Sequence, residues 1–345
     1  MRAKRDQEMR KARQEKASGK RIMTLLMAAI LWLPFHSAQA QVPKKVPRIG
    51  FVGQSKHSSL TGQAILAFRQ KLRELGWVEG ENVIIEWRFA EGIEERVPEF
   101  IADLIRLKVD VMVLTGGRPV RAAKKATNTI PIVMTEASDP VGSGLIASLA
   151  RPGGNITGMT SVRHELDGKR LEILKETVSK LFHVAILWQS GRSSLKVEFE
   201  RTELTARELG VKLQFLGVQS AADFGNAFQA IPRGQTTGLI AVHTQLINSH
   251  REQIVEMAAK RHIPAIYHDR RYTDSGGFMS YGPSHPSIYA QSANYVDKIL
   301  KGVKPADLPV EQPTRFELVI NLKTAHKMGL TIPPDVLMWA DEVIR

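Results

Sequence analysis

The sequence predicts an α/β protein of two tandem lobes, each a parallel sheet covered by helices on both faces. Three observations lead there. From Pro47 onward, short β-rich runs alternate with amphipathic stretches at helical spacing, the pattern of successive βαβ units. The order of these runs then repeats. Each half has a helix ending in R-E-L-G ("LRELG" at 72–76, "ARELG" at 206–210), then a β-rich run, a helix, an apolar strand, a helix and a strand opening on Ile-Pro. Finally, 345 residues that are 43% hydrophobic and 24% charged form an ordinary globular composition with room for two domains.

In the first half, "RIGFVG" (48–53) reads as a strand. The helix after it carries Ile65, Phe68, Leu72 and Leu75 on one face and stops at Gly76. "NVIIEWRF" (82–89) is the next strand, and "ERVPEFIADLIRLK" (95–108) the next helix, with Pro98 tolerable only in its first turn. "VDVMVLTGG" (109–117) runs as a strand into glycines, "RPVRAAKKAT" is a helix and "IPIVMTEA" (130–137) a strand.

In the second half, residues 166–181 form a helix with Leu171, Leu174, Val178 and Leu181 aligned. The strands are "HVAILWQ" (183–189), "VKLQFLGV" (211–218), "TGLIAVH" (237–243) and "IPAIYHD" (263–269), with helices between, including 193–210. The tail has a strand at 278–283, a helix at 287–302, a proline-rich extended stretch at 305–313, a strand at 315–322 and a short helix.

The first forty residues are a separate object. Nine Lys and Arg lie between Arg2 and Arg21, followed by the apolar run Ile22 to Leu33, Pro34 and the small-residue site "SAQA". A basic region, a short apolar core and an A-x-A site predict a secretory signal peptide over 1–40, cleaved after Ala40. The apolar run falls short of the about 20 residues that span a bilayer. The length of the basic region leaves open a start at Met9 or later. This segment holds 9 of the chain's 48 Lys and Arg and 3 of its 35 Asp and Glu, so the rest carries 39 against 32, a net of +7. No basic run or aromatic-basic interleaving supports nucleic-acid binding. The chain has no cysteine, which excludes disulfides, thiol catalysis and Cys-ligated zinc, and suits export to a periplasm without oxidative folding.

"SLARPGGNITG" (148–158) raises the question of a phosphate loop. Such a loop sets glycines between a strand end and a helix start. This one follows a helix-like "GSGLIASLA" and runs into a strand, without a P-loop Lys-Ser/Thr or G-x-G-x-x-G spacing. It reads as a turn feeding an interlobe strand, with Gly153 and Gly154 supplying backbone freedom.

Open α/β sheets bind ligands beyond the carboxyl ends of their strands. That rule nominates Gln54, Ser55, His57, Ser58 and Ser59 after the first strand, then Thr115, Gly116 and Gly117, whose amides open a helix and suit a carboxylate. It also nominates Glu136, Ser138 and Asp139 in the first half, and Gln189, Thr244, Asp269 and, at a crossing, Tyr281 in the second. An amino acid held at both ends would place its carboxylate on the first lobe's amides and its ammonium on Asp269. Blander roles compete. Ser58 suits a helix cap, Asp139-Pro140 a turn, and Tyr281 packing. His268, Asp269 and Asp274 read as a solvated loop before a metal site. Trp188, beside Gln189, is the tryptophan best placed to stack on a ligand. No G-x-S-x-G or H-E-x-x-H motif supports an enzyme.

Several blocks carry a family resemblance: "RIGFVG", "FRQKLRELGWVEGENVIIEWRFAEG", "ATNTIPIVMTEASDPVGSGLIASLARPGGNITG", "ELDGKRLEILKE", "GGFMSYGP", "YVDKILKGVKPADLPVEQPTRFELVINLKTAHKMGLTIP" and "ADEVIR". Together they span nearly all of 47–345. The chain resembles the periplasmic substrate-binding proteins of ABC transporters, in particular the subgroup with tryptophan- and phenylalanine-type binders. The resemblance implies a type I periplasmic-binding fold, with two Rossmann-like lobes, three interlobe crossings and a small-molecule ligand between them. The expected lobes are 46–159 with 284–305, and 160–283 with 306–345. Crossings are expected near 157–163, 280–284 and 309–313. The implied role is the solute-binding component of an importer, delivering an amino acid or related carboxylate to an inner-membrane ABC permease and its ATPase, as a monomer, without catalysis or cofactor. An exported sensor docking its closed form on a receptor, and an exported enzyme with an interlobe active site, are the alternatives.

Overall fold

The computed structural model describes residue 9 and residues 45–53, 59–91, 93–162, 166–190, 195–232 and 237–345. The expected signal segment otherwise lies outside them. Residues 46–345 form one compact unit containing two sheets.

The first sheet is built from β1 (Arg48–Gly53), β2 (Ile84–Phe89), β3 (Val111–Thr115), β4 (Ile132–Ser138) and β5 (Ile156–Ser161), in the order β2-β1-β3-β4-β5 with every pair parallel. Its helices are α1 (Ser59–Glu74), α2 (Val97–Arg106) and α3 (Gly117–Ala126). The second sheet contains β6 (His183–Gln189), β7 (Lys212–Val218), β8 (Thr237–Ala241), β9 (Ala265–Tyr267), β10 (Met279–Pro283), β11 (Phe316–Asn321) and β12 (Glu342–Ile344), in the order β12-β11-β10-β9-β8-β6-β7. Its helices are α4 (Asp167–Thr177), α5 (Leu195–Glu208), α6 (Asp223–Gln229), α7 (Gln245–Ser249), α8 (Arg251–Lys260) and α9 (Arg270–Asp274). After these come α10 (His285–Leu300), α11 (Leu322–Lys327) and α12 (Pro334–Trp339).

The repeat is structural. Strands β7-β6-β8-β9-β10 reproduce the order β2-β1-β3-β4-β5, so each lobe is a doubly wound sheet whose strand order reverses between its first and third strands. The R-E-L-G segments end α1 and α5 in the same way. Gly76 and Gly210 take positive φ (92° and 65°), and the next residue's N–H reaches back to Leu72 O and Ala206 O, at 2.8 Å each. This is the closure that a helix makes through a left-handed glycine. The second lobe departs in one respect: β11 pairs antiparallel with β10, and β12 extends the edge in parallel with β11.

Each sheet is buried on both faces. In the first, Phe51, Val113 and Phe68 lie on the side of α1 and α10, and Met112, Leu114 and Ile101 on the side of α2 and α3. The stripe expected on α1 is centred on Ala64, Phe68 and Leu72, and Leu66 is 64% exposed.

Some expected elements change. The helix at 166–181 stops at Thr177, whose hydroxyl donates back to Ile173 O at 2.6 Å. Val178 and Leu181 are buried as expected, but in the turn that follows. The helix-like 142–150 is a chain of turns, interrupted where Gly144 takes φ 67°. Gly153 and Gly154, at φ 67° and 73°, turn the chain into edge strand β5.

The third crossing falls at the end of the stretch expected for it, near 309–313. Residues 305–311 belong with the first sheet: Thr157 Oγ1 donates to Leu308 O (2.7 Å), Val310 N to Leu149 O (2.7 Å), and Glu311 N to Gly158 O (3.0 Å). Leu308 and Val310 are buried in that lobe's core. The chain therefore passes to the second sheet over 312–315, within and just after the expected crossing, and later than the expected lobe boundary at 306. Beside it, the second crossing joins β10 to α10, and Ser284 N donates to Arg315 O at 3.0 Å.

Candidate ligand cleft

The carboxyl ends of the parallel strands gather the nominated residues into two groups. In the first lobe, β3 ends at Thr115 and β4 at Glu136 and Ser138. Thr135 Oγ1 donates to Thr115 Oγ1 (3.2 Å), and Thr115 Oγ1 bonds Tyr289 OH on α10 (3.0 Å). This buried hydroxyl chain fixes the strand ends to the helix above them. Gly116 adopts φ 86° and donates its N–H to Thr135 O (2.9 Å), turning the backbone so that Gly117 starts α3. The first N–H groups of a helix lack partners inside it and attract anions.

A register shift between Met134 and Ala137 interrupts the β4–β5 pairing and holds Glu136 at φ 60°. Pairing resumes with Ala137 opposite Thr160, and Ser138 lies opposite Ser161. The Ser161 hydroxyl is buried with no hydrogen-bond partner among the described residues. Asp139, also at positive φ, is exposed. Its Oδ1 accepts from Gly142 N at 2.8 Å, the Asp-Pro turn that the sequence allowed. In the core of this lobe, the buried Phe51 and Tyr289 and the half-buried Trp87 and Phe89 of β2 form an aromatic group. Phe51 has its ring centroid 4.7 Å from Trp87 and 6.1 Å from Tyr289, and Phe89 stacks on Trp87.

In the second lobe, most nominated side chains are engaged. Thr244 is fully buried and caps α7, accepting from Ile247 N at 3.2 Å. Tyr281 stacks on Phe316, and its carbonyl accepts from the fully buried Arg170 (2.8 Å), which also grips Asp167 (2.5 Å). Trp188 lies edge-on to Phe199 in the lobe's core. Gln189 is half-buried at the end of β6. The segment around His268 is not a solvated loop. His268 is 1% exposed, its Nδ1–H donates to Ala241 O at 3.2 Å, and it contacts the His243 and Tyr272 rings.

Asp269 requires a correction. An ammonium-binding carboxylate needs an oxygen open to the cleft, but this side chain is fully buried. Oδ1 accepts from Arg271 N (2.9 Å) and Nε (3.0 Å). Oδ2 accepts from Arg271 Nη2 (2.6 Å) and faces His285 Nε2 (3.1 Å). Burial alone would raise its pKa, but Arg271 and His285 hold it well below the ordinary carboxylate value. The other ring nitrogen of His285 forms an ion pair with Glu136. Burial works against the charged imidazole, and the two carboxylates reverse that, so its pKa is raised. A chain of charges thus runs Glu136–His285–Asp269–Arg271 from one lobe to the other.

Gln54, Ser55 and Ser58 lie outside the described residues, and so does the side chain of Ser59. His285, Tyr289, Ser161 and Arg271 were missed. The i, i+4 placement of His285 and Tyr289 on the first turns of α10 was the available signal for the first two.

Two doubly wound lobes whose strand ends meet through His285 define the architecture, and the comparisons supply the class of protein. The chain belongs to the family of ABC transporter substrate binding proteins, whose model matches residues 55–344. It is similar to a tyrosine-binding protein of Clostridioides difficile (strain R20291), 24% identical over 324 residues, which cover 90% of this chain and 93% of that one. Among solved structures it is similar to a conserved domain protein from Vibrio cholerae O1 biovar El Tor, with 27% identity and a TM-score of 0.74, covering 87% of this chain and all of that one. It shares its fold with an ABC domain from Streptococcus pneumonia in complex with L-Trp, with 24% identity and a TM-score of 0.75, covering 86% and 99%. No helix among the described residues is long and apolar enough to cross a membrane.

Proposed function

We propose that this chain is the exported solute-binding component of an ABC importer, that it holds an aromatic amino acid between its lobes, and that it delivers it to a membrane permease. The observation that carries this reading is the first lobe's carboxyl edge, where the start of α3 at Gly117 follows the Thr115 hydroxyl and where the half-buried Phe89 ends β2. The helix-start amides suit a carboxylate. The Ser138 and Ser161 hydroxyls are assigned to the ammonium, since Asp269 is committed elsewhere. The half-buried Phe89 offers its ring to the side chain. The ligands of the relatives, tyrosine in one and L-Trp in another, point the same way. Ligand contacts to both lobes would favour a closed form over an open one, and that difference is what a permease reads. The signal-peptide pattern of the N-terminal segment supports export to a periplasm.

The test is a thermal-shift screen of the purified protein with L-Trp, L-Tyr, L-Phe and their analogues lacking the carboxylate or the amine, beside sugars and nucleosides. A ligand at 100 times its Kd stabilises by about 2.7 kcal/mol. The expected result is a rise with one or more aromatic amino acids that disappears when either end group is removed. A rise confined to sugars or nucleosides would overturn the amino-acid assignment.

A further inference from the structure

We propose that the outward face of α3 is a docking surface for an anionic lipid bilayer, on which the protein rests reversibly through Arg118, Arg121, Lys124 and Lys125. The inference goes beyond solute binding and takes from the proposed role only its setting, a membrane face met after export. The helix reads GRPVRAAKKA. At about 100° per residue, its four cations fall within an arc of about 120°, opposite the buried Pro119, Val120 and Ala123. All four are exposed, and Arg118 to Lys125 spans about 10 Å along the axis. Among the described residues, α3 is the only helix of ten or more residues that contains no Asp or Glu.

The neighbours leave the positive charge in excess. Glu94 pairs with Arg118, and Asp139 is turned to Gly142 N at 2.8 Å. Lys124 is held by two carbonyls, Gly144 O (2.6 Å) and Leu145 O (3.1 Å), which orient its ammonium without cancelling its charge. Arg121 and Lys125 make no ion pair among the described residues. Two exposed aliphatic side chains border the stripe. Ile93 (43% exposed) precedes the Glu94 that pairs with Arg118, and Val141 (42%) lies in the turn that Gly144 N closes on Val141 O at 2.9 Å. Charge complementarity selects the occupant. A bilayer containing anionic lipids is a plane of negative charge that attracts clustered Lys and Arg, and its headgroup level accepts small apolar side chains at their margin. It needs no shaped recess, and a convex helix face carrying long cations matches it. The net charge of +7 outside residues 1–40 adds a longer-range attraction of the same sign. Since Gly117 opens α3 at the strand ends of the candidate cleft, a docked bilayer lies near the rim from which a permease would receive solute.

The experiment is vesicle sedimentation. Protein recovered after export, its N-terminus read by mass spectrometry, is spun with vesicles of phosphatidylcholine alone or mixed equally with phosphatidylglycerol, at about 0.01 M and about 0.15 M salt. The expected result is binding to the phosphatidylglycerol vesicles only, weaker at the higher salt. Arg121→Gln with Lys125→Gln should lower the partition about fivefold for each cation removed. Lys323→Gln with Lys327→Gln takes the same charge from exposed positions on α11 and should bind nearly as wild type does. No binding to anionic vesicles at low salt overturns the proposal. So does an equal loss in the two double variants, which would assign the attraction to net charge. Wild-type partition in the α3 variant would leave that face to an acidic protein and overturn the lipid assignment. If the double change on α3 does not fold, Lys125→Gln alone supplies one fivefold step. Calorimetry with L-Trp, without vesicles, should give equal Kd in wild type and both variants. A fall confined to the α3 variant would place the stripe in the ligand site and overturn a separate surface. If wild type binds no aromatic amino acid, the ligand assignment fails by itself, and the vesicle partition still decides the surface.

Discussion

The two edges of the cleft are built from the same strand order but end in different chemistry. In the first lobe the strand ends carry mostly hydroxyls and a helix start, Thr115, Thr135, Ser138, Ser161 and Gly117, with Glu136 the one carboxylate named there. In the second lobe they carry charges and histidines, Asp269, Arg271, His268 and His243, packed against one another. The difference teaches which edge is free to recognise a solute. A carboxylate that already accepts four hydrogen bonds has no site to offer, however well its position along the chain suggests one. A helix start beside neutral hydroxyls keeps its donors at modest desolvation cost. The first lobe is thus the edge we propose recognises a solute, and the second is tied to it through the contacts of His285 with Glu136 and Asp269.

The sharpest way to break the comparison is Asp269→Ala. It leaves Arg271 without its bidentate partner and removes the second-lobe end of the His285 bridge. Breaking a buried pair from one side costs about 3–5 kcal/mol, and Arg271, with its side chain 28% exposed, places the outcome at the lower end. Urea denaturation at neutral pH measures it. The pH profile of that difference has a definite sign. Asp269 has a lowered pKa in the folded chain, so its contribution is complete above the unfolded carboxylate range, about pH 4, and is lost as pH falls through its folded value. His285 has a raised pKa, so its contribution is complete below about pH 6.5 and is lost as pH rises through its folded value. Wild type should therefore lose stability at both ends of this window, and Asp269→Ala should flatten both flanks. A loss under about 1 kcal/mol at neutral pH would mean that the second edge is less committed than its contacts imply.

The first edge is tested next, by Thr115→Val. The hydroxyl chain loses its centre, and the buried Thr135 and Tyr289 hydroxyls lose a partner. An orphaned buried group costs about 1–3 kcal/mol, whereas replacing both partners by apolar groups is nearly neutral. Thr115→Val with Thr135→Val should therefore cost less than the sum of the two single changes, as read from denaturation midpoints in a double-mutant cycle. Strict additivity would mean that the two hydroxyls act independently.

What could be read from the sequence follows the same division. The lobes were legible because their signals are local. The R-E-L-G helix ends, the β-rich runs and the glycines at 76 and 210 each act within a few residues, and the repeat of strand order follows from their sequence. The candidate first edge was legible for the same reason, since Thr115, Gly116 and Gly117 form one strand-to-helix turn. Asp269 was not, because its ring partner arrives from a crossing and that ring's other partner from β4, far earlier in the chain. No periodicity encodes such a meeting. The 305–311 segment was misplaced because prolines predict an extended path without saying which sheet it lies along.

The smallest effect separates a turn residue from a ligand residue within the first edge. Asp139 follows β4 directly, and position alone nominates it beside Ser138. Its carboxylate, however, caps Gly142, and its backbone sits at φ 40°. Both features belong to the turn. Asp139→Ala removes the cap and puts a side chain that tolerates left-handed backbone poorly at that position. Asp139→Gly removes the cap but relieves the backbone. The alanine variant should lose about 1 kcal/mol and the glycine variant less, with ligand affinity equal to wild type in both. The ranking matters more than either magnitude, because a cleft contact would be lost equally in the two variants while a turn distinguishes them. Equal stability losses accompanied by a matching fall in affinity would return Asp139 to the recognising edge and add a second carboxylate there beside Glu136.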